Sequence, residues 1–146
     1  MDKTNDSAMV ALLPMTDEWC KIDPAHTTLV YLGKIVDLKE ELLIELVKSA
    51  SSLAMMSNPV HLKVSGVEVF GEEDKVDVLR LVPNPELLAM RTFLEDWDTG
   101  EFPVYRPHAT IGPAGGFYTD LPIVITFDRI LVSWGETRIT FWLRRY

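Results

Sequence analysis

The stretch AHTTLVYLG, Ala25 to Gly33, sets a histidine and a threonine two positions apart at the head of an apolar run. The arrangement returns in PHATIGP, Pro107 to Pro113, with His108, a spacer and Thr110. The chain holds 3 histidines in all, so two of the three share one local pattern. The first stretch is rich in β-branched residues and ends at a glycine, and the second is a shorter version of it; each reads as a strand. Strand side chains alternate between faces, so residues two apart project together. His26 therefore shares a face with Thr28, and His108 with Thr110, while Thr27, Leu29, Ala109 and Ile111 turn toward a core. If two such strands lie side by side across a groove, four polar groups converge.

Outward from these strands, AMVALLPM (Ala8 to Met15) is an apolar run closed by Pro14 and reads as a buried strand. Asp37, with Glu40 three residues on, has the chemistry of a helix start. Leu38, Leu42, Leu43, Leu46, Val47 and Leu53 then form an apolar stripe that Asn58 and Pro59 stop. VHLKVSGVEVF alternates, slips parity at Ser65-Gly66 and resumes, which predicts a bulge. GEED makes a turn and KVDVLRLV returns as the second strand of a hairpin. Asn84 and Pro85 open a second helix with Leu87, Met90, Leu94 and Trp97 on one face. IVITFDRILVSW and RITFWLRRY close the chain as two strands around a turn near Gly135. Each half carries a histidine strand, a helix and a hairpin, a loose duplication. The expectation is an α+β fold, two mainly antiparallel sheets flanking a central groove with helices outside. It occupies one two-lobed domain over 1–146, with residues 1–7 a flexible tail.

Bulk properties narrow the partners. The 146 residues are 47% apolar, enough for a core, and no run approaches the roughly 20 apolar residues that span a bilayer. MDKTNDS is polar and has no leader pattern, so a cytoplasmic protein is expected. Cys20 is the single cysteine and reads as a small, half-buried residue. The net charge of −8 argues against a protein that grips long nucleic acid, whose affinity comes from phosphate contacts. Small ligands, or the end of a strand, fit better.

Two imidazoles and two hydroxyls suit phosphodiester cleavage. One neutral histidine can take a proton from the attacking water or hydroxyl, and the other, protonated, can give one to the leaving oxygen. The threonines can donate to the non-bridging oxygens. Two histidines on separate strands with no third histidine or nearby carboxylate make a poor zinc set, so neither metal nor cofactor is called for. A lone H-x-T would be weak support, since both residue types are ordinary in strands; two copies in corresponding places are far stronger. His61, with no threonine two positions on, reads as a structural or surface residue.

The paired HTTLVYLG and HATIGP resemble the 2H phosphoesterase superfamily, defined by two such motifs. The resemblance runs over nearly the whole chain, including strand order and the closing ILVSWGETRITFWLRRY. It implies a bilobed α+β fold and, carried over residue by residue, a catalytic set of His26, Thr28, His108 and Thr110. The superfamily includes RNA 2′-5′ ligase-like enzymes, 2′,3′-cyclic nucleotide phosphodiesterases and phage enzymes that cleave cyclic oligonucleotide immune signals. VSGVEVFG and YRPHATIGP, with the acidic balance, look most like phage and bacterial versions, which would place the protein in a host cytoplasm. The second motif runs into Gly112-Pro113 and a GGFY loop, where RNA-processing relatives often carry a basic residue.

The remaining ligand contacts are sought among aromatic and charged residues near the motifs. Phe70, Tyr118 and Trp134 are candidates to stack on a base, although aromatic residues mostly serve cores. Glu136 could accept from a purine edge, and Arg106, on the parity of His108, could neutralise phosphate. The leading expectation is a metal-independent phosphodiesterase acting on a small cyclic nucleotide or cyclic oligonucleotide. The alternatives are an enzyme of RNA 2′,3′-cyclic phosphate ends and a non-catalytic nucleotide-binding protein on the same fold.

Overall fold

β1 (Ser7–Pro14) is buried along almost its whole length, with Ala8, Val10, Ala11 and Leu12 fully enclosed. Its continuous apolar run is what a strand needs when neighbours flank both edges and both faces are covered. The computed structural model describes residues 6–144. β1 pairs antiparallel with β2 (Thr27–Lys34) on one side and with β6 (Val124–Trp134) on the other. Of the residues 1–7 expected as a flexible tail, Ser7 opens β1 and Asp6 accepts from the Ile35 amide at 2.9 Å, while residues 1–5 lie outside the described set.

A 3-10 turn (Ile35–Asp37) follows β2 and leads to α1 (Glu41–Met56). The helix does not start at Asp37, because Leu38 is extended (φ −114°, ψ 145°) and interrupts the helical path. Glu40 occupies the cap position with no side-chain bond to the helix. α1 buries Leu46, Ala50, Leu53 and Ala54 and packs on the last two strands.

β3 (Val60–Phe70) joins the two parts of the sheet. Val60 to Lys63 pair with β6, and from Val64 to Phe70 the strand pairs instead with β4 (Val76–Leu81). The change of partner coincides with the register shift between Val64 and Gly66, where the parity slip was read. α2 (Pro85–Leu94) is capped by Asn84, whose side-chain oxygen accepts from the Leu87 amide at 2.9 Å. It buries Leu87, Met90 and Leu94 against β2, and a 3-10 turn (Glu95–Trp97) ends it. β5 (His108–Pro113) pairs with β4, and β7 (Thr137–Trp142) returns along β6 through a turn at Gly135, whose φ of 61° suits glycine.

All pairings are antiparallel. The strands form one seven-stranded sheet in the order β2-β1-β6-β3-β4-β5, with β7 also on β6. The fold is α+β, and the two expected strand sets are continuous through β3. The ends of the path, β2 and β5, are the two motif strands, and they contact each other. No helix among the described residues is long and apolar enough to cross a membrane.

Candidate active site

His26 stands one residue ahead of β2, and His108 is the first residue of β5. Each ring is held in the same way. His26 Nδ1 lies 2.7 Å from the Pro24 carbonyl oxygen, and His108 Nδ1 lies 2.8 Å from that of Arg106, in both cases the residue two before. A carbonyl can only accept, so Nδ1 carries the hydrogen and donates it. In the neutral ring Nε2 then keeps its lone pair.

The alternation expected of the motifs holds. Thr27, Leu29, Ala109 and Ile111 are fully buried, while His26, Thr28, His108 and Thr110 are half-buried. The Thr28 hydroxyl donates to Met9 Sδ at 3.6 Å. The Thr110 carbonyl accepts from the Cys20 thiol at 3.2 Å, and burial pushes that thiol up from its ordinary value. His61 lies on the exposed side of β3, its Nδ1 2.7 Å from the Thr126 hydroxyl.

Burial lowers the proton affinity of both motif histidines. For His26 it is opposed by the bond to Pro24 and reinforced by the charges of His108 and Arg138. For His108 the bond to Arg106 opposes it, the Arg106 charge reinforces it and the Glu68 carboxylate opposes it.

Thr28 and His108 line a cleft of about 520 Å³, together with Tyr31, Glu68, Phe70, Arg91, Asp98, Phe102, Tyr105 and Arg106. Its volume falls in the usual range of ligand sites, about 300–1,000 Å³. The Phe70 ring sits 4.5 Å from that of His108, tilted by 58°, and the Arg106 guanidinium lies 4.8 Å from the Phe70 centroid. Tyr31 and Phe102 form a second ring pair at 6.1 Å. His26 and Thr110 are not among the lining residues. Among the described residues, no group of three or more His, Cys, Asp or Glu side chains is placed to hold a metal ion.

Of the further residues singled out in the sequence, Phe70 and Arg106 line the cleft. Trp134 does not: as the last residue of β6 it is 7% exposed and belongs to the core, so its ring has no free face for a base. Tyr118 packs on its own loop, donating its hydroxyl to Pro113 at 2.6 Å under the Lys21 ammonium, outside the cleft lining. Glu136 is exposed in the β6–β7 turn, also away from the lining.

Sequence reading overlooked Tyr31, Glu68, Arg91, Asp98, Phe102 and Tyr105. Glu68 carried a signal, since it shares strand parity with Phe70. Tyr31 carried none, because register shifts between Ala8 and Met9 and between Val10 and Ala11 break the parity that leads from Thr28.

No protein-family model matches the chain, and no curated protein does so. Solved structures do. Usb1 of Kluyveromyces marxianus aligns with a TM-score of 0.66 at 14% identity over 97% of this chain and 100% of that one. TT0787 of Thermus thermophilus gives 0.61 at 15% over 96% of each. E. coli LigT complexed with 3′-AMP gives 0.57 at 13%, over 97% of this chain and 96% of that one. Likeness at such low identity shows architecture alone: the chain shares the α+β fold of these proteins.

Proposed function

We propose that the protein is a phosphodiesterase that cleaves a small cyclic nucleotide or cyclic oligonucleotide, with His26 and His108 as acid and base and Thr28 and Thr110 as phosphate ligands. The observation that carries the reading is the matched pair of imidazoles, each held in the Nδ1–H form at the head of one of two strands that contact each other. A water or ribose hydroxyl attacks phosphorus, and its proton passes to the Nε2 of the neutral histidine. The P–O bond to the leaving oxygen breaks, and that oxygen takes the proton from Nε2 of the other, protonated histidine. The threonine hydroxyls donate to the non-bridging oxygens as charge builds there.

The charges of His108 and Arg138 both repel a proton from His26. At His108 the Arg106 charge likewise repels a proton and the Glu68 carboxylate, the smaller influence, supports it, so either ring can serve as the base. The cleft supports a nucleotide-sized ligand by its volume and its rings, and Arg106 supplies a cation beside His108 in a chain of net charge −8. A phage origin, with cyclic immune signals as substrates, rests on the sequence resemblance alone.

The reading is tested by incubation with cyclic dinucleotides, cyclic trinucleotides and 2′,3′-cyclic mononucleotides in EDTA. Turnover of at least one is expected, and ligand recovered intact from every incubation overturns it in favour of a binding protein. His26→Ala and His108→Ala should each lower the rate by about 10²–10⁴. The second reading, action on RNA 2′,3′-cyclic phosphate ends, draws support from the likeness to LigT, which is complexed with 3′-AMP in one of its structures. It requires that an oligonucleotide bearing that end be cleaved faster than the mononucleotide.

A further inference from the structure

β2 and β5 stand at opposite ends of the hydrogen-bonded path, so no ladder sets the distance between them. β2 pairs with β1 along one edge, and side chains and loop close its other edge. The Thr99 amide donates to the Tyr31 carbonyl at 2.9 Å, the Arg91 guanidinium donates to the Leu29 carbonyl, and the Tyr105 hydroxyl donates to the Thr28 carbonyl at 3.0 Å. Tyr105 is itself held, with the Arg91 guanidinium 4.1 Å from its ring centroid. Arg91 in turn pairs with Asp98 at 2.8 Å, and both side chains are largely out of solvent. Three residues after Tyr105, past the buried Pro107, comes His108.

We propose that Tyr105 is a positioning residue that sets the spacing of the two motif strands, its hydroxyl tethering Thr28 to the short segment that ends in His108, with Arg91 and Asp98 fixing its ring. The inference rests on the phosphodiesterase reading for its effect on rate, and on geometry alone for the tether. Burial pushes the Tyr105 phenol up to about 12, so it keeps its proton, and with it the bond to Thr28, through the whole neutral range. Residues of the two motifs must meet one phosphorus atom together, and a displacement of about 1 Å at such a site can cost about 10² in rate.

The test is Tyr105→Phe in the full chain, which removes one oxygen and keeps the ring under Arg91. On whichever substrate the wild type turns over, kcat should fall about 10- to 100-fold while KM changes by less than about threefold. An unchanged kcat overturns the proposal, as does a fall in kcat matched by a rise in KM. A second readout needs no turnover. NMR titration of the imidazole carbon-bound protons should show the His26 pKa rising in Tyr105→Phe, as the His108 charge that opposes it moves away. An unmoved His26 titration overturns the tether. Should the wild type cleave nothing while His26 shifts, the phosphodiesterase reading fails and the tether stands. Asp98→Asn, which frees Arg91 without touching Tyr105, should move both readouts in the same direction by less. If Tyr105→Phe fails to fold, Asp98→Asn alone decides, and unmoved readouts in Asp98→Asn overturn the proposal.

Discussion

Both motif imidazoles are held where burial works against their charged forms, and the proposed catalysis needs one of them charged. The ordinary histidine value is 6.5, and each lies below it. In the proposed mechanism the productive free enzyme has one ring neutral and the other protonated, so kcat/KM should rise as the base loses its proton and fall as the acid loses its own. With both values lowered, the maximum of that bell should lie below pH 6.5; a profile of kcat/KM between pH 4.5 and 8.5 checks it, and a maximum above 7 contradicts the arrangement. Beside them, Thr27 presents a different case. Its hydroxyl is fully buried and is the one buried side-chain oxygen or nitrogen among the described residues without a hydrogen-bond partner. A hydroxyl in that state costs folding free energy, and Thr27→Val keeps the shape without it. The substitution should stabilise the protein by about 1 kcal/mol, read as a higher urea midpoint at unchanged slope. The spacing of the motifs told which face Thr27 takes; that its hydroxyl finds no partner there, opposite Leu12 of β1, depended on the tertiary packing.

Among the elements, α2 has the better-defined start. Asn84 accepts from the Leu87 amide at 2.9 Å and donates its own amide to the His61 carbonyl at 2.9 Å, so one side chain both caps the helix and ties it to β3. Asn84→Ala should cost about 1 kcal/mol, while Asn84→Asp, which keeps the acceptor, should lose less; thermal unfolding of the two variants ranks them. The contrast with α1 shows what local patterns can and cannot convey. Asn84 and Pro85 state their roles in two adjacent residues. Asp37 and Glu40 state the same role equally well, yet the chain leaving β2 is held by the Ile35 bond to Asp6 and leaves Leu38 extended. The strands were legible because alternation is a property of neighbours, and the bulge at Gly66 was legible for the same reason.

Over the whole molecule, the charge of −8 is set against a cleft that carries Arg91 and Arg106. Arg91 is committed to Asp98 and β2, which leaves Arg106 as the cleft cation with no ion pair among those observed for the described residues. Long single-stranded RNA should therefore bind weakly, and its affinity should change by less than about tenfold between 50 and 200 mM salt, where a protein making 6–10 phosphate contacts loses about 10³–10⁵. A filter-binding series over that range separates the small-ligand reading from an RNA-gripping one. By itself the sequence determined the fold class, the order of the elements and the identity of the four motif side chains with their shared faces, because periodicity and turn chemistry act between residues close along the chain. Only the tertiary structure decided that the two ends of the sheet path meet, that Trp134 is spent on the core, and that Tyr31, Glu68 and Tyr105 join the cleft. Those outcomes depend on register shifts and on contacts between segments far apart along the chain, and no local pattern encodes them.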